Sequence, residues 1–268
     1  MNTRELMQLA MDMVGQTEIP PDSAIYVEGE GIRRILAGVD IGVPELMLAR
    51  QMGYDCVLAH HPQTACLSFP RILDLHVDLM MKHGVPEDEA RRAVANLKEA
   101  NALSRQAGNY DHTVSVARLL KMPFLNVHNP LDELGRRRMQ EAVDRHLAPG
   151  STLQDVVDAL LTIPELKAAP TRPVIAVGRP ESPAGKVVVA HGAGTNGGYE
   201  VASAYFRHGV NTVIYIHCDF GAVQRLRAEG KGNLIVSGHI ASDLVGIMPY
   251  IEELRRRGLE VTGISGIY

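Results

Sequence analysis

The chain has 268 residues, 46% hydrophobic and 22% charged, with a formal net charge of −4 at pH 7. That length buries one large or two modest domains without covalent staples, and the slight acidity gives no general pull toward nucleic acid or an anionic membrane. Its cysteines, Cys56, Cys66 and Cys218, are odd in number and lack CxxC spacing. Neither a disulfide framework nor a thiolate zinc site is suggested, and a reducing cytoplasm is the expected location.

Residues 1–15 read as an amphipathic helix carrying Glu5 and Asp12, the wrong chemistry for the basic start of a secretory signal. No apolar run approaches the ~20 residues that span a bilayer. After Pro20 and Pro21 come a short strand at 25–27, a strand at 32–40, a helix at 44–52 closed by Gly53, and a strand at 55–59. This strand-helix-strand crossover implies parallel pairing. Residues 71–107 are helical in composition, broken at Gly84 and Pro86 and densely charged over 87–92. They are expected to form a helical insertion that serves as a lid or subunit contact rather than part of either sheet, since they lack the period-2 apolar runs of a central strand. Asp111 stands at the N-cap of a helix over 112–120, and a short apolar strand at 124–127 follows Pro123.

Residues 129–163 are again helical, with a break at Pro149 and Gly150, and 168–173 read as the main linker. Strands at 174–177, 186–190, 212–216 and 234–237 then alternate with helices at 199–207, 221–228 and 242–257, and the tail 261–268 adds an edge strand. The expected fold is α/β: two packed α/β units with mostly parallel sheets. Residues 1–130 form the first, with the insertion, and 131–268 the second, whose last helix packs back on the first. Each half holds a strand that ends in histidine, a sign of duplication.

The strongest motif is Cys56-Val57-Leu58-Ala59-His60-His61-Pro62. Side chains alternate across a strand, so adjacent histidines share one site only where the strand ends. Strand carboxyl ends form the binding crevice of α/β sheets, and imidazole is the commonest metal ligand. A polar cap on a strand is the alternative; the pair followed by proline favours a ligand if distant chain supplies carboxylates. In Ser237-Gly238-His239-Ile240-Ala241-Ser242-Asp243, an i to i+4 relation can bring His239 and Asp243 onto one face. Alternatively Ser242 or Asp243 merely caps the last helix.

His191-Gly192-Ala193-Gly194 opens a glycine-rich strand-to-helix turn. His191, Gly192 and Gly194 are candidate substrate contacts, since glycines let backbone amides approach an anion. The spacing is neither a Rossmann fingerprint nor a P-loop, and a tight turn needs glycines anyway. His217-Cys218-Asp219, at another strand end, offers a ligand, an acid-base group or polar lining. No nucleophile elbow accompanies it, and Asp219 would raise the thiol pKa.

These motifs resemble the Nif-three-like dinuclear metal centre proteins, the type 2 GTP cyclohydrolase homologues. Val39-Asp40 through His60-His61-Pro62 resembles the first family motif, and Asn109-Tyr110-Asp111 the end of its His-Thr-Asn-Leu-Asp motif. Gly238-His239 through Asp243 is similar to its Gly-His-x-x-x-Glu motif, and the turn over 187–194 to the stretch before it. Three departures stand out. Asp243 replaces glutamate and is one methylene shorter, residue 107 is alanine instead of histidine, and His217 and Gly221 stand where aspartate and histidine are expected.

The resemblance implies that His60, His61, Asp111, His239 and Asp243 ligate two divalent metal ions, with Zn, Fe and Mn all compatible with a mixed imidazole and carboxylate set. It implies a metal-dependent hydrolase acting on a small phosphorylated or nucleotide-like substrate, GTP cyclohydrolase-like. The expected assembly is a homo-oligomer, a hexameric ring with sites facing an internal cavity. His217 is expected to face the metal cavity as an acid-base or substrate-contacting group rather than a sixth ligand. The alternative is a non-catalytic metal-binding scaffold or metal chaperone acting through a protein partner.

Overall fold

The structure, a computed structural model, describes residues 1–63, 65–66, 68–191 and 196–268. In chain order its elements are α1 (Thr3–Val14), β1 (Ala24–Val27), β2 (Arg34–Gly38), α2 (Val43–Gln51), β3 (Cys56–Ala59), α3 (Asp74–Lys82) and α4 (Glu87–Ala107). Next come α5 (His112–Leu120), β4 (Phe124–Asn126), α6 (Asn129–His146), α7 (Leu153–Leu160), α8 (Pro164–Ala168), β5 (Val174–Val177) and β6 (Val187–Val189). The chain closes with α9 (Gly198–Arg207), β7 (Thr212–Tyr215), α10 (Phe220–Glu229), β8 (Asn233–Val236), α11 (His239–Arg256) and β9 (Glu260–Ile264). The α/β expectation holds, with two mixed, mostly parallel sheets.

The first unit comprises Met1–Ile72, Asn101–Leu134 and Ile247–Tyr268. Its sheet runs β1-β4-β3-β2-β9, parallel except for β1. β3 is buried along its whole length, as a strand covered on both faces must be. Leu36, Val57 and Phe124 of adjacent strands pack with Leu46 of α2 and Val114 of α5. α1 is fixed at its start by a capping box, in which Glu5 N–H donates to Asn2 Oδ1 and Asn2 N–H to Glu5 Oε2, both at 2.8 Å. Such a cap contributes about 1 kcal/mol.

The second unit comprises Leu73–Ala100 and Gly135–Gly246. Its sheet runs β5-β8-β7-β6, again parallel except for its first strand. The two sheets repeat one another in register: Ala24, Ile25 and Val27 face Asn126, Leu125 and Phe124, and Val174, Ile175 and Val177 face Val236, Ile235 and Leu234. The same irregularity falls at the same place in both antiparallel pairs. β1 to β4 thus correspond to β5 to β8, and the histidines leaving β3 and β7 occupy equivalent strand ends.

Two expectations are corrected. The segment over 71–107 is helical and joins neither sheet, as expected, but it does not stand apart from the core as a lid: Val77, Met80, Val85, Ala90 and Val94 lie in the core of the second unit with Val201, Ala202 and Tyr205 of α9. An ion pair from Glu89 to Arg207 and a hydrogen bond between Glu89 and His208 fasten α4 to the end of α9. The proline-rich stretch 168–173 lies inside the second unit and is no boundary.

Candidate metal centre

In the first unit, β3 carries the chain to the histidine pair while its backbone still follows β2. His60 N–H donates to Gly38 O and His61 N–H to Val39 O, both at 2.9 Å. Pro62 then ends the run. The next strand, β4, delivers His128, and α6 begins one residue later, so Asp132 lies one helical turn beyond His128. The ring nitrogens of His60, His61 and His128 come within 4.8 Å of one another. Asp132 Oδ1 stands 3.2 Å from His60 Nε2, and Asp132 Oδ2 3.6 Å from His128 Nε2. His60 and Asp132 are almost wholly buried, with side chains 1% and 2% exposed.

Each of these histidines has its Nδ1 held from behind. His60 Nδ1 bonds to Val127 O at 3.0 Å, His61 Nδ1 to an Asp40 carboxylate oxygen at 2.7 Å, and His128 Nδ1 to an Asp22 carboxylate oxygen at 2.7 Å. Carbonyl and carboxylate oxygens only accept, so all three Nδ1 atoms carry the proton, and neutral rings present an Nε2 lone pair. That is the arrangement found behind metal-ligating histidines. Ser23 holds the backbone in place, its Oγ accepting from His128 N–H at 2.9 Å.

The donor set fits a divalent cation. Two atoms each about 2.1 Å from one ion lie ~3.0 Å apart in an octahedral shell and ~3.4 Å apart in a tetrahedral one, close to the 3.2 and 3.6 Å separations from Asp132. Two buried carboxylates, Asp22 and Asp132, share this region with neutral-capable imidazoles, and a cation compensates buried negative charge. Imidazole and carboxylate suit Zn, Fe and Mn alike.

Asp111 joins none of the ligand groups among the described residues. It occupies the N-cap position of α5 without making a side-chain capping bond. The carboxylate beside His60 is Asp132, and His128 is an additional imidazole. Both carried a readable signal: His128-Asn129-Pro130-Leu131-Asp132 follows an apolar strand with the same His-x-x-Leu-Asp spacing as the family motif assigned to Asp111.

In the second unit, Gly238 lies between β8 and α11 with φ +102, a conformation that favours glycine, and a Cβ there would stand 2.9 Å from Thr171 Oγ1. The tight turn starts α11 at His239, three residues earlier than the sequence suggests. His239 Nε2 is consequently 3.5 Å from Asp243 Oδ2 one turn on, with side chains 41% and 1% exposed. The His217 and His239 rings lie 4.7 Å apart. Asn196 Nδ2 is 2.8 Å from His217 Nδ1. His191 is buried just beyond β6; Gly192 and Gly194 lie outside the described residues. Burial, followed by the charge of Asp219, pushes the Cys218 thiol up to about 11, so little thiolate forms near neutrality.

No protein-family model matches the sequence, and no curated protein matches it. Solved structures do. A NIF3 superfamily protein from Sphaerobacter thermophilus is 52% identical with a TM-score of 0.96, the match covering 100% of this chain and 99% of that one. Reduced HcgD from Methanocaldococcus jannaschii has 12% identity and a TM-score of 0.60, covering 98% and 97% of the two chains. A Thermus thermophilus protein has 15% identity and a TM-score of 0.55, covering 99% and 98%. The latter two share the fold alone. Matched over its whole length by a relative of more than half identity, this chain belongs to the NIF3 superfamily.

Proposed function

We propose that this protein is a metal-dependent hydrolase of small phosphorylated or nucleotide-like substrates, working in the cytoplasm with two divalent ions. The observation that carries this reading is the group of buried His60, His128 and Asp132 with half-buried His61, every Nδ1 already engaged and each neutral Nε2 able to ligate. His239 and Asp243 are proposed as further ligands, on the family resemblance and on their shared helix face.

A divalent ion there would supply Lewis acidity toward water and toward a substrate oxygen. The protein's part is to keep the ligands in place. Asp22 and Asp40 fix two imidazole orientations, Val127 O fixes the third, and burial of Asp132 lowers the local dielectric in which the ion would act. A homo-oligomer, by the same resemblance a hexameric ring, is the proposed assembly. Exposed apolar side chains on the first unit, Met47 and Met52 in and after α2 and Leu119 on α5, are in keeping with burial in self-contacts.

The test is metal content by mass spectrometry on purified protein, with a screen of phosphate esters and of GTP ring opening. Bound metal with turnover that chelation abolishes supports the hydrolase. Firmly bound metal without turnover on any substrate favours a metal-binding scaffold, and no bound metal overturns both.

A further inference from the structure

The hydrogen bonds behind the histidines fall into two opposite kinds. His61 and His217 occupy equivalent places in the duplicated fold, each two residues beyond the last residue of its strand, β3 or β7. These strands have matching neighbours: β3 lies between β4 and β2 in its sheet, and β7 between β8 and β6 in the other. His61 Nδ1 meets a carboxylate oxygen of Asp40 and must donate to it. His217 Nδ1 meets the Nδ2 of Asn196.

The orientation of that amide is fixed independently. Asn196 Oδ1 accepts from Gly198 N–H at 2.9 Å, an Asx turn at the start of α9. Its NH2 group is therefore the part that faces His217. An amide NH2 has no lone pair to offer, so it donates, and His217 Nδ1 must accept. With Nδ1 unprotonated, the neutral ring carries its proton on Nε2. An imidazolium, with protons on both nitrogens, would forfeit this bond.

We infer that His217 is an Nε2–H donor to an anionic oxygen of the substrate, held in that tautomer by Asn196, and is not a metal ligand. The inference rests on the hydrolase reading for the word substrate, but its tautomer is a property of the metal-free protein. The class of group it recognises follows from the donor. A phosphate or carboxylate oxygen only accepts hydrogen bonds, and a neutral N–H binds it without competing for the ion. The ring lies 4.7 Å from that of His239, which places the donor beside a proposed ligand. Duplication has thus given one strand-end histidine a carboxylate partner and the other an amide partner, with opposite consequences for what each Nε2 can do.

The experiment uses full-length protein with 15N-labelled histidine, free of metal and at a pH where imidazoles are neutral. Solid-state 15N NMR reads the tautomer of each ring, His217 being assigned from its loss in His217→Gln. The expected result is Nε2–H for His217 and Nδ1–H for His60, His61 and His128, with Asn196→Asp switching His217 alone to Nδ1–H. Binding of inorganic phosphate, measured by calorimetry with and without zinc, should weaken about ten-fold or more in His217→Phe, which removes the Nε2–H donor, and less in His217→Gln, whose amide N–H can replace it, with zinc stoichiometry unchanged in both. Nδ1–H at His217 in the wild-type protein, loss of an ion in His217→Phe, phosphate affinity indifferent to that substitution, or no phosphate binding at all would each overturn the inference. A protein that takes up no zinc, yet shows these tautomers and a His217-dependent phosphate affinity, would retain the anion contact and end the hydrolase reading alone.

Discussion

Asp132 Oδ1 approaches His60 Nε2 to 3.2 Å although the two residues come from different elements, a helix start and a strand end. Their side chains are among the most buried polar groups of the first unit. Asp132→Ala and His128→Ala are each expected to lower zinc affinity at least ten-fold, whereas Asp111→Ala leaves it unchanged. Competition with a chromophoric chelator measures all three. A large effect of Asp111→Ala would restore that residue to the ligand set.

The partners behind the ligands should matter unequally. Asp22 is fully buried against His128, while the Asp40 side chain is 70% exposed beside His61, where water can replace it. Second-layer partners typically contribute 10–100-fold in metal affinity, as a rough guide. Asp22→Asn is expected within that range and Asp40→Asn below it, by the same chelator titration. Equal effects would mean that burial does not govern the contribution.

Met80 should behave as a core residue. It is fully buried, packed in the cluster that contains Tyr205 and Val201, and Met80→Ala is expected to cost about 2–5 kcal/mol in urea unfolding. A lid residue would cost within ~0.5 kcal/mol.

Glu89 gives the second unit an acid-sensitive fastening. Hydrogen bonds from His208 and then from Arg207 hold its carboxyl below the usual carboxylate range. A depressed folded-state pKa contributes stability that is complete above the unfolded value of about 4.3 and is lost as pH falls through the folded one. Glu89→Gln should therefore be less stable than wild type near neutrality, with the gap closing in acid. Thermal melts across that range check it, and a gap independent of pH would contradict it.

The helix crossing in the second unit tolerates little bulk. A Cβ on Gly135 of α6 would stand 3.2 Å from Gly246 N and 3.3 Å from Ser242 O, both on α11. Gly135→Leu is expected to destabilise by about 1–3 kcal/mol, measured by denaturant unfolding.

Much of this architecture was legible in the sequence because the strands are short apolar runs bounded by breakers. Thr212-Val213-Ile214-Tyr215 is β-branched and aromatic, and Cys56-Val57-Leu58-Ala59 stops at His-His-Pro. The His60-His61 pair and the His239/Asp243 spacing were legible for the same reason, since strand ends are where such residues converge. Asp132 was missed because the segment after 129 is polar and reads as a solvated helix, although His128 and Asp132 have the same i to i+4 spacing as His239 and Asp243. The role of 71–107 was hidden by charge. Glu87, Asp88, Glu89, Arg91 and Arg92 crowd the surface, while the buried stripe relies on small side chains, Ala90 and Ala93, with Val94. The tautomer of His217 depends on Asn196 and Gly198, a turn whose hydrogen bonds no periodicity reveals.

The most direct test is anomalous X-ray scattering, at the metal edges, from crystals of protein loaded with zinc, iron or manganese. The account predicts a peak about 2.0–2.3 Å from His60 Nε2, His128 Nε2 and an Asp132 oxygen. A crystal whose metal peaks all lie away from these atoms, or ligated by Asp111 in place of Asp132, would contradict it.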